Sequence, residues 1–314
     1  MRIWAPTAAA AVTAMLCTLP VQAETFINIL TGGTSGVYYP LGVALSQIYT
    51  DNVPDSRPSV QATKASVENL NLLQEGKGEI AFTLGDSLAL AVAGNEEAGF
   101  PAPLDKLRTV AAIYPNFVQV VASQESGIKT LADLKGKRLS VGAPASGTEL
   151  NARAILAAAG MSYDDLGQVE YLPFAESVEL MKNRQLDATL QSAGLGVASI
   201  RDLATSVPIT VVEIPADVIA KAGPPYTLNT IPAGTYEGQD ADVATASVQN
   251  YLVTHSDVSD DVVYAMTKTL FEHLDDMVAA HAAAKDISID AAAENPPAPL
   301  HPGAEKYFQE QGKL

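Results

Sequence analysis

The sequence predicts an α/β protein made of two successive units, each built on a mostly parallel sheet. Strand-like apolar runs alternate with helix-like periodic segments through most of the chain, which is the pattern of strand–helix–strand units. The alternation restarts after residue 129, and each half contains a glycine-containing turn between a strand and a helix. With 314 residues, of which 47% are hydrophobic, the chain is long enough to bury the cores of two such units.

In the first unit, three predicted strands are each followed by a predicted helix. The strands cover residues 25–30, 58–62 and 79–84, and the helices cover 41–49, 67–74 and 87–93, the last of them capped by Asp86. Two nearly continuous apolar runs follow, at 107–114 and 117–122. Such runs are typical of strands that are buried on both faces.

The second unit repeats this order. Its predicted strands cover residues 138–142, 168–172, 187–191 and 208–214, and its predicted helices cover 149–159, 175–183 and 196–204. The C-terminal third is less regular, and its residues 224–236 contain too many prolines for a central strand. A strand over 244–254, an amphipathic helix over 257–273 that continues through 274–284, and a short helix over 304–311 complete the prediction.

The N-terminal segment predicts export. Arg2 precedes an apolar run over residues 8–19 that is too short to span a bilayer, and Val21-Gln22-Ala23 gives the small-residue pattern of a cleavage site. We therefore expect a signal peptide over residues 1–23, cleavage after Ala23 and a periplasmic mature protein. The single cysteine of the chain, Cys17, lies in this segment, so the mature protein is expected to fold without disulfides.

The net charge of −17 argues against nucleic acid and anionic lipid as partners, because both repel an acidic protein. After residue 23, no segment approaches the length of apolar sequence that a membrane-spanning helix needs. The acidic surface is explained most simply as a solvated one. Any anion site on this protein must therefore be built from local donors.

Motifs of catalysis are poorly represented. The mature sequence has no cysteine nucleophile, no Gly-x-Ser-x-Gly elbow and no phosphate-binding Gly-Lys-Ser/Thr loop. The four histidines, at positions 255, 273, 281 and 301, lie in the C-terminal region without zinc-site spacing. We predict a protein that is not an enzyme and that needs neither a metal nor a cofactor.

The most informative segment is residues 31–40, Thr-Gly-Gly-Thr-Ser-Gly-Val-Tyr-Tyr-Pro, between a predicted strand and a predicted helix. Backbone N–H groups at such a helix start lack intrahelical partners, and together with the helix dipole they favour a small anion. Thr34 and Ser35 add hydroxyl donors and a candidate N-cap. An ordinary capped turn without a ligand is the alternative explanation.

Short hydroxyl, amide and glycine residues gather at other predicted strand ends in both halves. The ligand-binding candidates are Thr34, Ser35, Gly36, Tyr38, Tyr39, Ser66, Asn69, Thr83 and Asp86 in the first half, and Ser146, Gly147, Thr148, Glu149 and Gln191 in the second. Because ligands of open α/β sheets bind outside the carboxyl ends of strands, two such edges facing each other would form a cleft. Tyr38 and Tyr39 would add a wall with polar tips, or would instead pack at the helix start.

Four separated blocks of the sequence resemble a known family. They are residues 26–40, which end in Gly-Gly-Thr-Ser-Gly-Val-Tyr-Tyr-Pro, Ala-Ser-Val-Glu-Asn-Leu at 65–70, Ser-Gly-Thr-Glu-Leu-Asn-Ala-Arg at 146–153 and Ile-Pro-Ala-Gly-Thr-Tyr at 231–236. In this order they resemble the TAXI solute receptors, which are the extracytoplasmic binding proteins of one class of TRAP transporters. The resemblance extends from about residue 25 to residue 270.

The resemblance implies a type II periplasmic-binding-protein fold, in which two lobes joined by crossover strands close around a ligand. Lobe 1 is expected to comprise residues 24–113 and 243–314, and lobe 2 residues 114–242. Family ligands include glutamate, glutamine and dicarboxylates such as 2-oxoglutarate. The resemblance therefore implies a small carboxylate as the ligand, and TRAP membrane permease subunits, driven by an ion gradient, as the partners. We expect the receptor itself to be a monomer.

The resemblance also implies roles for particular residues. Ser35, Gly36, Tyr38 and Tyr39 lie in the first ligand-facing block of the family, Ser66 and Asn69 in the second, and Ser146, Gly147, Thr148 and Glu149 in the third. The sequence departs from the family at residues 83–86, Thr-Leu-Gly-Asp, which leaves the preference for a ligand side chain open. Arg153 lies in the second turn of a predicted helix, where structural pairing is its expected role.

Two alternatives stay open at the level of sequence. The chain could be the binding component of an ATP-driven importer, which the receptor sequence alone separates poorly from a TRAP receptor. It could also be an exported hydrolase that uses Ser35 or Ser146 as a nucleophile. In that case we expect covalent labelling of one of these serines.

Overall fold

One mixed sheet of ten strands runs through the computed structural model, which describes residues 24–314. The predicted signal peptide and its cleavage site after Ala23 lie outside these residues. The strands are β1 (Thr25–Leu30), β2 (Ser56–Gln61), β3 (Ile80–Leu84), β4 (Leu107–Ser123), β5 (Arg138–Ser140), β6 (Gln168–Glu170), β7 (Ala188–Ala193), β8 (Ile209–Val212), β9 (Thr227–Ile231) and β10 (Val243–His255). Their order is β2-β1-β3-β10-β4-β7-β5-β6, with β8 paired to β4 and β9 paired to β10.

The two longest strands connect the two ends of this sheet. β4 has 17 residues and β10 has 13, and they run antiparallel to each other. The second half of β10 pairs with β3 and with the first half of β4. The first half of β10 pairs with β9, and the second half of β4 pairs with β7 and β8. Both strands thus pass from one lobe to the other, which confirms the predicted fold of two lobes joined by crossover strands.

The helices flank the two regions of the sheet. Ten α-helices lie in the described residues: α1 (Tyr38–Asn52), α2 (Ser66–Gln74), α3 (Gly85–Ala93), α4 (Gly147–Ala158), α5 (Phe174–Lys182), α6 (Ala198–Ser206), α7 (Ala216–Ala222), α8 (Asp260–Glu272), α9 (Leu274–Ala280) and α10 (Pro302–Glu310). We define lobe 1 as β1 to β3 with α1 to α3 and α8 to α10, and lobe 2 as β5 to β9 with α4 to α7. The exact boundaries at residues 113/114 and 242/243 stay a prediction.

Two local predictions were wrong, and one helix was missed. The helix at residues 87–93 begins at Gly85 after an N-cap at Leu84, so Asp86 lies in its first turn and does not cap it. The helix after the first glycine-rich turn has Val37 as its N-cap and no side-chain cap, so neither Thr34 nor Ser35 serves there. The helix α7 was not predicted, because its seven residues are too few to establish a helical period.

Apolar burial stabilises this fold in place of disulfides. A large cluster of buried side chains joins α1, β1 and α8 of lobe 1 to α5 and α6 of lobe 2. Two further clusters fill the space between the sheet and α4 in lobe 2, and between the sheet and α2 in lobe 1. Each fully buried Leu, Ile or Phe side chain in these clusters contributes roughly 1.5–3 kcal/mol relative to an exposed one. This burial stabilises the sheet and helices that position the residues of the cleft.

One buried tyrosine in this interior carries a polar atom without a partner. Tyr49 is fully buried and its hydroxyl makes no hydrogen bond within the described residues. We expect Tyr49→Phe to leave the free energy of unfolding unchanged or to raise it by about 1 kcal/mol, because the substitution removes a desolvated hydroxyl and keeps the ring. Urea denaturation followed by circular dichroism measures this change.

Tyr264→Phe is the matched control for that measurement. The Tyr264 hydroxyl donates to Glu310 Oε2 at 2.6 Å on the surface, so its removal should lower stability by less than about 1 kcal/mol. A loss of several kcal/mol in Tyr49→Phe would instead mean that the Tyr49 hydroxyl has a hydrogen-bond partner in solution.

Candidate binding site

A cavity of about 150 Å³ lies between the two lobes, where the carboxyl ends of the strands of both lobes meet. A cavity of this size in another protein holds a molecule such as benzene. Lobe 1 lines it with residues that include Gly32, Gly36, Val37, Tyr38, Lys64 and Ser66, and lobe 2 with Ser146, Gly147, Thr148, Phe174 and Ser192. Tyr114 and Asn116 of β4 add to the wall. The two predicted glycine-containing turns therefore face one shared space between the lobes.

The lobe 1 side of the cavity is the start of α1. Because Val37 caps this helix without a side-chain hydrogen bond, the first N–H groups of α1 lack a capping acceptor. The ring of Tyr38 stacks on Phe82, with 5.0 Å between the ring centroids. The Tyr38 hydroxyl donates to Asn250 Oδ1 at 2.5 Å, and burial raises the pKa of Tyr38 far above its ordinary range. Tyr38 is therefore a neutral aromatic wall held in place by β10.

The lobe 2 side is the start of α4. The Ser146 hydroxyl caps this helix by accepting from the Glu149 N–H at 3.2 Å. Gly147 and Thr148 are the first two helical residues, so their N–H groups have no intrahelical acceptor. Both residues line the cavity. The helix dipole adds a partial positive charge at this point, and the combination favours an anionic group.

Two buried side chains of β4 have polar atoms without partners. Asn116 is 1% exposed, and its Nδ2 makes no hydrogen bond within residues 24–314. Tyr114 is fully buried, and its hydroxyl is likewise unpartnered in this part of the chain. Burial raises the pKa of Tyr114 well above its usual value, so it stays a neutral donor. Because buried donors are normally satisfied, a bound ligand is a natural partner for these groups.

The lobes are in direct contact around the cavity. The Glu68 N–H of lobe 1 donates to the Ala145 carbonyl of lobe 2 at 3.1 Å, and the Ser199 N–H of lobe 2 donates to the Ser35 carbonyl of lobe 1 at 3.3 Å. A Cβ built on Gly147 would lie 2.6 Å from Ser66 Oγ in the opposite lobe. The structure is therefore a closed form in which little space separates the lobes beyond the cavity.

A buried carboxylate joins the two lobes next to the cavity. Asp86 of α3 is 6% exposed, and its Oδ2 accepts from Asn151 Nδ2 at 2.5 Å and from the Tyr226 hydroxyl at 2.9 Å, both in lobe 2. Its Oδ1 accepts from the Ser87 N–H at 2.7 Å. Ser192, which lines the cavity, donates to Asn151 Oδ1 at 2.7 Å. Burial raises the pKa of Asp86 despite these donors.

Of the fourteen predicted site residues, six line the cavity: Gly36, Tyr38, Ser66, Ser146, Gly147 and Thr148. The other eight lie outside its wall: Thr34, Ser35, Tyr39, Asn69, Thr83, Asp86, Glu149 and Gln191. Thr34 and Ser35 lie between the lining residues Gly33 and Gly36 of the first turn, and Tyr39 follows the lining residue Tyr38. Thr83 is fully buried in β3. We do not include these eight in the candidate site.

The hydrogen bonds of three of these eight residues explain why they do not line the cavity. Asn69 Nδ2 donates to the carbonyls of Thr31 and Phe82 at 2.7 and 2.8 Å, which ties two loops of lobe 1 together. The Glu149 carboxylate accepts a hydrogen bond from Arg153 Nη2 at 2.8 Å. This is the structural pairing that was expected for Arg153. Gln191 Oε1 accepts from the Ser199 hydroxyl at 2.6 Å.

Sequence reasoning missed several lining residues, among them Tyr114, Asn116 and Phe174. Asn116 had a usable signal, because it is a polar residue in the short gap between the two apolar runs at 107–114 and 117–122. Within residues 24–314, no cluster of three or more His, Cys, Asp or Glu side chains is placed to hold a metal ion. None of the helices in that part of the chain is long and apolar enough to cross a membrane.

The fold and the interlobe cavity define the class: this is an α/β protein of the two-lobed type found in periplasmic binding proteins. The chain belongs to the NMT1-like family, whose profile matches residues 29–312. It is similar to a structure described as a periplasmic transporter, with 12% identity, a TM-score of 0.58, and coverage of 92% of this chain and 93% of that one.

Two further structures share the fold. A structure named as an L-cystine ABC transporter from Listeria monocytogenes has 15% identity and a TM-score of 0.52, and the match covers 85% of this chain and 98% of that one. The alkanesulfonate-binding protein from Xanthomonas axonopodis pv. citri bound to MOPS has 17% identity and a TM-score of 0.50, with 92% and 85% covered. At these identities the likeness shows the fold alone.

Proposed function

We propose that this protein is an extracytoplasmic solute-binding protein that encloses a small carboxylate between its lobes and delivers it to a membrane transporter. The observation that carries this proposal is the cavity itself. The starts of α1 and α4, one from each lobe, line the same cavity of about 150 Å³. Helix starts with free N–H groups favour a carboxylate, and closure strengthens these contacts by removing water.

The crossover strands support the delivery part of the proposal. Only β4 and β10 connect the two regions of the sheet within the described residues, so a few positions in these strands can absorb an opening motion. A receptor that closes on its ligand and opens at a transporter needs such an arrangement. The neighbours named as transporter or binding proteins share this fold, which supports the same role here.

The hydrolase alternative finds little support in the surroundings of its two serines. The Ser146 hydroxyl is engaged as a helix cap, and the Ser35 hydroxyl makes no hydrogen bond to a histidine in the described part of the chain. His301, for example, contacts the Val258 carbonyl in lobe 1. A serine nucleophile needs a general base within hydrogen-bond reach. We therefore favour a protein that is not an enzyme.

For the transporter, we propose an ATP-driven importer ahead of the TRAP permease that the sequence resemblance implies. The supporting observation is the structural neighbour named as an L-cystine ABC transporter. The TAXI assignment stays a prediction from the four sequence blocks. Protein-dependent uptake into membrane vesicles separates the two, since inhibition by orthovanadate identifies ATP as the energy source and inhibition by an ionophore identifies an ion gradient.

Isothermal titration calorimetry with a panel of small carboxylates, amino acids and sugars tests the proposed function. We expect saturable binding of at least one small acid with a stoichiometry of one, and native mass spectrometry should show a bound small molecule in freshly purified protein. Turnover of an ester or amide with covalent labelling of Ser35 or Ser146 would contradict the proposal. The absence of any ligand in both measurements would contradict it as well.

A further inference from the structure

We infer that the cavity selects small carboxylates that carry no ammonium group, so that oxo- or hydroxyacids bind and the corresponding amino acids are rejected. This inference rests on the proposed function and narrows the class of ligand at the same site. It departs from the glutamate and glutamine that the sequence resemblance implies. The selectivity follows from the partners that the cavity offers to the carboxylate and to the ammonium group of a ligand.

The cavity offers donors that suit a carboxylate. The N–H groups of Gly147 and Thr148 are free at the start of α4, and the Nδ2 of Asn116 is buried and without a partner in the described part of the chain. All three residues contribute to the wall. A carboxylate between them would accept from neutral donors and from the positive end of the helix dipole, which compensates for the loss of water.

The cavity offers no carboxylate as a partner for an ammonium group. None of the described residues that line it is acidic, and its only charged lining residue among them is the exposed Lys64. A buried ammonium group without a carboxylate partner is strongly disfavoured, because its hydration is not replaced. The ammonium group of an amino acid would meet only hydroxyl oxygens and the aromatic faces of Tyr38 and Phe174 in this wall, and these replace its lost hydration less well than a carboxylate does.

The nearest carboxylates are already engaged. Asp86 accepts hydrogen bonds from Asn151 and Tyr226, and Glu149 forms an ion pair with Arg153. The Glu68 carboxylate accepts from the backbone N–H of Lys64 at 2.5 Å, on the solvent side of the turn. An ammonium group could recruit one of these acids only by breaking contacts that hold the closed form together.

The volume sets the size of the ligand. A space of about 150 Å³ suits a compact acid of roughly six to ten non-hydrogen atoms, by comparison with a benzene-sized occupant. Tyr38 and Phe174 give this space aromatic walls. A short carbon chain that bears a carbonyl or hydroxyl group fits both the walls and the neutral polar donors.

Calorimetry with matched pairs tests the inference. Each pair differs only at one carbon: pyruvate and L-alanine, 2-oxobutyrate and L-2-aminobutyrate, 2-oxoglutarate and L-glutamate. We expect at least one oxoacid to bind about 100-fold more tightly than its amino acid. Tighter binding of the amino acid in every pair that binds would overturn the inference and leave the proposed receptor function intact. Binding of none, with no ligand recovered by mass spectrometry, would overturn both.

Asn116→Asp supplies an independent readout of the same idea. It keeps the size of the side chain and adds one negative charge to the wall, so the oxoacid should bind at least tenfold more weakly and its preference over the amino acid should shrink. Gln185→Glu, which adds the same charge at an exposed position of lobe 2, is the control and should leave both affinities unchanged. If the ratio of the oxoacid affinity to the amino acid affinity is the same in Asn116→Asp as in the wild type, Asn116 does not contact the ligand and the inference is overturned.

Discussion

Replacing Gly147 with alanine should weaken ligand binding by about 10- to 100-fold without destabilising the ligand-free protein. A Cβ at this position would lie 2.6 Å from Leu84 Cδ1, 2.6 Å from Ser66 Oγ and 3.0 Å from Ser66 Cβ, all in the opposite lobe. Overpacking of this kind costs roughly 1–3 kcal/mol. The cost falls only on the closed form, because the two lobes separate when the cleft opens.

The measurements are calorimetry for affinity and thermal unfolding without ligand for stability. Alanine is a better helix former than glycine, so α4 itself should not suffer from the change. Gly33→Ala is the matched variant in the lobe 1 wall of the same cavity, where an added Cβ meets no protein atom within 4 Å. This variant adds the same methyl group without a clash between the lobes, so we expect a smaller loss of affinity than in Gly147→Ala. Wild-type affinity in Gly147→Ala would mean that the ligand does not require the closed form seen here.

Much of the fold could be predicted from local sequence patterns. Strands β1 and β3 and helices α2 and α4 follow from apolar periodicity and turn residues that are close together in the chain. The two glycine-containing turns were placed at the cavity for the same reason, because a glycine-rich βα turn puts its free N–H groups at a known edge of a sheet. These features need no knowledge of the partner lobe.

The rest of the site depends on contacts between distant parts of the chain. Asn116 lies in the middle of a strand, and only the pairing of β4 with β10 and β7 decides that it contributes to the cavity. Ser35 and Gly36 are neighbours in sequence, yet only the glycine lines the cavity. The partners of Asp86 are 65 and 140 residues away from it. No local pattern encodes such pairs.

Replacing Asp86 with alanine should open the closed form. The substitution leaves the Nδ2 of Asn151 and the hydroxyl of Tyr226 without their acceptor, at a cost of about 1–3 kcal/mol for each buried group. Because both donors belong to lobe 2 and Asp86 to lobe 1, this cost falls on the contact between the lobes. We expect ligand affinity to fall by at least tenfold and small-angle scattering to show a larger radius of gyration. An unchanged radius with unchanged affinity would contradict this role.

The pH dependence of Asp86 separates its charge from its shape. Its pKa is raised above the ordinary value of 3.8, chiefly by burial, so the folded closed protein binds a proton more readily than the unfolded chain. Stability from this group is therefore fully present below pH 3.8 and is lost as the pH rises through the raised pKa. Tyr38 and Tyr226, the neighbouring titratable groups, have pKa values far above this window and stay neutral.

Asp86→Asn keeps the shape and removes the titration. The free energy of unfolding of the wild type minus that of this variant should rise as the pH is lowered from about 7 towards about 4, since the other carboxylates cancel in the difference. Urea denaturation across this range measures it. A difference that falls on acidification would mean that the donors from lobe 2 outweigh burial and that the carboxylate holds the lobes together in its charged form. A difference that rises on acidification would mean that burial outweighs the donors, so that the contact between the lobes is more stable when Asp86 is neutral. Closure of the cleft would then be easier in a more acidic compartment.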